Sequence, residues 1–268
     1  EDDVAEEAAL DAVESASRLW PELSPEESAL LERLSVWAAA AAKRQDSKAR
    51  RLIEWMQATV QPGGAWNDER VIVFTEYRAT QNWLQQMLVA AGLGGAQRLL
   101  LLYGGMPEDE RERVKAAFLA DPQDSAVRIL LATDAASEGI DLQRRCHQLV
   151  HYEIPWNPNR LEQRNGRIDR YGQTQPPLIH HFVGAGYAAR TAQSGRAPSE
   201  LEADLEFLAR VAEKTDQMRE DLGAVGQVLA DSVAEAMLDG RRVLDTGRAD
   251  RRLEPVRRQL KFERNLRE

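Results

Sequence analysis

The chain has 268 residues, with 44 acidic against 35 basic side chains and a formal charge of −9, which excludes a uniformly basic nucleic-acid coat. A single cysteine, Cys146, leaves no disulfide framework and no thiolate zinc site, so the cytosol is the natural compartment. No apolar run reaches membrane-spanning length and no signal peptide opens the chain, so no membrane partner is expected; Glu1 in place of a Met points to a fragment of something longer.

Residues 4–20 and 25–42 read as two helices parted by Trp20-Pro21 and Ser24-Pro25. Ser24 has the place of an N-cap, with Pro25 at the first helical position and Glu27 three residues on, a capping box. A third helix is expected over Ser47 to Val60, as helical support for the following domain or as a link to something upstream. Pro62-Gly63-Gly64 ends it and marks a boundary, giving a helical segment or linker over 1–63 and a core domain over 64–184.

From Arg70 strand and helix alternate, the mark of a parallel α/β sheet. Strands are expected at 71–77, 99–103, 129–131, 149–154 and 178–183, with helices at 80–91 and 107–119. A Trp-Asn-Pro turn follows the fourth strand, with Trp156 as a packed turn aromatic, and an arginine-rich helix begins near Asn159. Residues 185–198 read as a loop. A helical extension follows to 268, ending in a basic stretch that reads as a solvated face.

Charge is uneven along this order. Residues 1–17 carry seven acidic groups and no Lys or Arg, whereas Arg144, Arg145, Arg160, Arg164, Arg167 and Arg170 crowd one region. In a continuous helix Gln163, Arg167 and Arg170 stand at i, i+4 and i+7 and share a face, while Leu161 and Ile168 anchor another. Gly166 keeps bulk away from an approaching group beside Arg167. Two guanidiniums one turn apart can grip a polyphosphate and neutralise charge developing in phosphoryl transfer. An arginine pair alone is most often a solvated face; the string from Pro155-Trp156-Asn157-Pro158 to Gly172-Gln173 is too particular for that. The histidines point to no metal site. His147 and His151 would lie about 13 Å apart along a strand, and His180 and His181 face opposite sides.

Thr133 to Gln143, Gln163 to Gln173, Val71 to Tyr77 and Tyr103-Gly104-Gly105 resemble, in turn, motifs V, VI, IV and the segment after IV of a known family. That family is the superfamily 2 helicase-type ATPases of the Swi/Snf class, and the part resembled, over residues 68–184, is their second RecA-like lobe. The nearest branch is bacterial, similar to an RNA-polymerase-recycling ATPase and to Snf-type helicases of phage defence. Asp169 stands where many eukaryotic remodellers carry His, which sets the chain apart from chromatin remodelling.

The resemblance implies an α/β fold, a RecA-like three-layer parallel sheet flanked by helical N- and C-terminal segments. It implies Arg167 and Arg170 as arginine fingers, Gly139, Asp141 and Gln163 toward the nucleotide, and Thr75, Gly104, Thr133 and Ser137 on a DNA or RNA backbone. ATP with Mg²⁺ is the implied cofactor, and RNA polymerase or phage-defence components are implied partners. No Gly-x-x-x-x-Gly-Lys-Ser/Thr occurs, nor a strand ending in an Asp-Glu pair. Phosphoryl transfer then lacks its phosphate cradle and metal carboxylates. The chain reads as half of an ATPase, inactive without a first lobe. The alternative is a non-catalytic interaction module that kept the lobe as scaffold.

Overall fold

The computed structural model describes residues 23–134, 142–155, 157–184 and 211–212. The expected helix at 4–20, Ser137, Gly139, Asp141, Trp156, the 185–198 loop and nearly all of the C-terminal extension lie outside the described residues.

Among the described residues two helices precede the sheet, and they are held by different forces. Helix α1 (Pro25–Ala41) has the expected capping box: the Ser24 side chain accepts from the Glu27 N–H, and the Glu27 carboxylate accepts from the Ser24 N–H at 2.8 Å. It buries no residue, so among the described residues its local support is a cap worth roughly 1 kcal/mol. Helix α2 (Ser47–Val60) is capped by Asp46 and buries Ala49, Leu52, Ile53, Met56 and Val60. Each large apolar side chain so buried contributes about 1.5–3 kcal/mol, so packing outweighs the cap. These residues share a cluster with Val71, Val73, Ile129, Leu131 and Val150 of the sheet. Helix α2 therefore packs on the sheet across the turn at Pro62-Gly63-Gly64.

The sheet has five parallel strands: β1 (Val71–Thr75), β2 (Leu99–Leu102), β3 (Ile129–Thr133), β4 (Gln148–His151) and β5 (Leu178–His181), in the order β2-β3-β1-β4-β5. β1 and β3 are buried along their whole length, as expected where both faces of a parallel sheet are covered. Alternate residues split between the faces. Val71, Val73, Ile129 and Leu131 join α2 and helix α3 (Arg78–Ala90) through Leu84 and Leu88. Ile72, Phe74, Leu130 and Ala132 join helix α4 (Glu108–Leu119) through Val114 and Phe118, together with Ile168. The result is the expected three-layer α/β arrangement.

The register sets Thr75 opposite Thr133, Phe74 opposite His151 and Leu102 opposite Ala132. The carboxyl ends of these strands therefore gather on one edge, where open α/β sheets bind ligands. The other edge is closed by arginines. Arg70 and Arg128 are buried and donate to carbonyls of Phe118, Val127, Asn67, Ser125 and Pro122.

Several elements end earlier than expected, and two of them bear on the carboxyl edge. β4 stops at His151, after which the Tyr152 N–H still pairs with the Phe74 carbonyl before the chain bends. Helix α5 runs over Pro158–Asn165 only, capped at its start by the Asn157 side chain and ended by Gly166. Beyond it the backbone continues in turns. The Arg167 N–H bonds to the Arg164 carbonyl at 3.0 Å and the Ile168 N–H to the Asn165 carbonyl at 3.1 Å, the tighter i to i+3 spacing. Arg167 and Arg170 thus lie past the helix, and the shared helical face expected for them with Gln163 does not form.

Candidate functional site

The stretch from α5 to Gln173 starts at the carboxyl ends of β3 and β4, through Arg164 and Asn165, and ends against Cys146, just before β4. Its apolar anchors are Leu161, which packs with Ile154 and Ala212, and Ile168, which enters the main cluster under β1 and β3. Gln173 pins the far end: its side-chain N–H₂ donates to the Ile168 carbonyl at 2.9 Å and the Cys146 carbonyl at 3.0 Å. Gly172 has φ +96°, a left-handed turn that favours glycine. Gly166 has φ −61°, open to any residue, and a Cβ there would meet the Glu162 carbonyl oxygen at 3.3 Å. Its smallness eases the end of the helix.

This anchoring sorts the arginines. Arg164 turns inward and is 1% exposed. Its Nε and Nη2 meet the Asp134 carboxylate as a fork, at 2.5 and 2.8 Å. Its Nη1 donates to the Glu153 carbonyl at 2.9 Å and lies 3.4 Å from His151 Nδ1. His151 Nε2 is 2.8 Å from Asn165 Oδ1, so Nε2 carries the proton and Nδ1 is the bare acceptor toward Arg164. Burial, then the Arg164 and His181 neighbours, hold the His151 ring well below the ordinary histidine range. It is a neutral core group.

Arg167 is half-buried, and Arg170 and Gln163 are exposed. Arg160 reaches from α5 toward Glu76 and Asp134 at 4.0 and 3.8 Å. Glu153, after β4, accepts from the Glu76 N–H at 3.2 Å and ties the end of β1 to it. Burial pushes the Glu153 carboxyl up, against the opposing pull of Lys48 on α2.

The candidate backbone-contact residues divide. Thr75 and Thr133 sit at adjacent strand ends as expected, but their side chains are 0% and 3% exposed. The Thr75 hydroxyl donates to the Tyr77 carbonyl at 3.4 Å. Both are enclosed at the strand ends. Gly104 is half-buried in the turn after β2, and the left-handed φ of that turn, +77°, falls on Gly105. Arg164, Asp134, His151 and Asn165 escaped the sequence reading, as did Gln81, whose buried amide donates to the carbonyls of Leu102 and Leu131. Spacing carried a signal for two of them: Leu161, Arg164, Asn165 and Ile168 stand at i, i+3, i+4 and i+7.

The edge can therefore present guanidinium and amide donors to an anion, on a backbone fixed from below. Among the described residues no cluster of three or more His, Cys, Asp or Glu could hold a metal, and no helix is long and apolar enough to cross a membrane.

Comparison with known proteins bears on this edge. Residues 49–172 match the helicase conserved C-terminal domain. A protein of Bacillus subtilis named "Uncharacterized ATP-dependent helicase YqhH" is 40% identical over 116 residues, 43% of this chain and 19% of the relative. The "RNA polymerase-associated protein RapA" of Cronobacter sakazakii is 34% identical over 143 residues, 53% of this chain and 13% of the relative. The chain thus spans less than a fifth of the length of either relative. The solved C-terminal part of the Fun30 ATPase domain aligns with a TM-score of 0.45 at 17% identity, covering 63% of this chain and 55% of that one. Residues 49–172, which match the helicase conserved C-terminal domain, are the part of the chain that holds the parallel strands β1 to β4.

Proposed function

We propose that this chain is the C-terminal lobe of a nucleic-acid-dependent ATPase, a helicase or translocase that works only when a first RecA-like lobe closes on it. The observation that carries this reading is the segment after α5. It carries Arg167 and Arg170 on an anchored turn beyond α5, in a sequence with no phosphate loop. The donors present suit phosphate oxygens, and their cationic character leaves the metal to carboxylates elsewhere. ATP with Mg²⁺, held mainly by the first lobe, supplies the transferable phosphoryl group. Arg167 and Arg170 neutralise charge on it, Gln163 aligns the phosphates, and Gly139 and Asp141 approach the sugar. Nucleic acid lies along the carboxyl edge, against Gly104 and Ser137, with Thr75 and Thr133 supporting the strand ends. Such contacts grip a sugar-phosphate backbone without reading sequence.

Two measurements test this. The purified 268-residue chain is expected to show no ATP turnover above background, with or without DNA or RNA; robust steady-state hydrolysis by it overturns the half-site reading. The complete protein is expected to bind mixed-sequence duplex with affinity that falls steeply with salt, through counterion release, and varies little with base sequence. Salt-independent binding favours an interaction module instead. The name of the Cronobacter sakazakii relative makes RNA polymerase the first partner to test by co-purification.

A further inference from the structure

The chain positions of Arg164 and Asp134 give their pairing a consequence beyond the core. Asp134 directly follows β3, and Arg164 lies in the last turn of α5, three residues before Arg167. The guanidinium spends three donors on fixed acceptors: both Asp134 oxygens, at 2.5 and 2.8 Å, and the Glu153 carbonyl, at 2.9 Å. Phe74 lies beneath it, with the guanidinium carbon 5.4 Å from the ring centre. A second tie joins the same two regions, because the Leu142 N–H donates to the Arg167 carbonyl at 3.1 Å. The backbone of Arg167 is thus held from the motif V side twice, once directly and once through the buried fork.

We infer that Arg164 is a positioning residue for ATP hydrolysis: enclosed by Asp134, Glu153, His151 and Phe74, it contacts no nucleotide and fixes the turn that presents Arg167 and Arg170. This rests on the proposed role of those two arginines. A planar fork on a carboxylate fixes both distance and orientation, whereas a lysine ammonium in the same place keeps the charge and loses the orientation. Misplacing a reacting geometry by about 1 Å costs on the order of 10²-fold in rate. Arg164→Lys therefore separates the two roles. It retains a cation beside Asp134, so the core keeps its charge balance, while the turn beyond is no longer set.

The experiment uses the complete protein with saturating mixed-sequence duplex, and compares Arg164→Lys, Asp134→Asn, the double variant and Arg167→Ala. Rates are taken at a temperature where circular dichroism shows Arg164→Lys fully folded. Expected for Arg164→Lys is a fall in kcat of about tenfold or more with KM for ATP within about threefold. The double variant is expected to be no worse than the poorer single, because both break one fork. A wild-type kcat in folded Arg164→Lys overturns the inference. So does a rise in KM at constant kcat, or a double variant whose defect multiplies those of the singles. Intact hydrolysis in Arg167→Ala marks a different failure, that of the arginine-finger reading itself, and the inference falls with it.

Discussion

Alanine at Arg167 or at Arg170 is expected to lower ATP hydrolysis by the complete protein about 10³-fold or more. The size of the effect follows from what is removed: a cation whose interaction with transferring phosphoryl oxygens strengthens as charge develops there, in a site that excludes water. The fold should survive, because the turn that carries both residues is held by the buried Ile168, by the Gln173 side chain and by backbone bonds. Lysine should restore little at either position, since a point charge cannot reproduce a planar fork. Steady-state hydrolysis with thermal unfolding as a control decides it. Near-normal turnover in both alanine variants, with unchanged unfolding, removes the arginines from the chemistry.

The second large effect belongs to stability and to the opposite edge of the sheet. Arg128→Met is expected to destabilise the fold by about 3 kcal/mol or more, at about 1–3 kcal/mol for each buried acceptor left unpaired. Arg128 is 4% exposed and donates to the carbonyls of Asn67, Pro122, Ser125 and Val127, at 2.6 to 3.1 Å. Its ion pair with Asp68 matters less, because that carboxylate is 78% exposed and solvent screens it. The cost comes from the four acceptors: methionine fills the volume of the side chain but supplies no donor to carbonyls packed around it. Urea unfolding of both proteins measures this. A loss below about 1 kcal/mol would mean that water replaces the guanidinium without difficulty.

These two groups of arginines look alike in sequence, and that explains much of what the sequence left unread. Apolar runs at 71–75 and 129–133 specified buried parallel strands, and Ser24-Pro25 with Glu27 specified a helix start. Those signals are local. Whether an arginine faces water depends on its acceptors, and these come from remote segments: Asp134 is 30 residues from Arg164, and Asn67 is 61 from Arg128. The buried face Leu161, Arg164, Asn165 and Ile168 is legible by spacing, but a charge at its centre argues against burial until its partner is known. The length of α5 was hidden for a related reason. Glycine often closes a helix, but the helical spacing of Ile168 and Arg170 with the residues before Gly166 concealed the change to tighter turns after it. Strand-end hydroxyls such as Thr75 and Thr133 carry no mark of depth either, since the same residue type serves in caps, cores and contacts.

Cys146 is buried just before β4, at the edge closed by Arg70 and Arg128, with its Sγ donating to the Arg70 and Gln148 carbonyls at 3.3 and 3.2 Å. Burial pushes its thiol up to about 12, so the nucleophilic thiolate is scarce at neutral pH. Over these 268 residues there is no other cysteine. For spectroscopy this lobe is a silent background as it stands. A cysteine introduced at exposed Gln163 should take a maleimide dye alone, leaving Cys146 unmodified, and so report the approach of a partner to the carboxyl edge in real time.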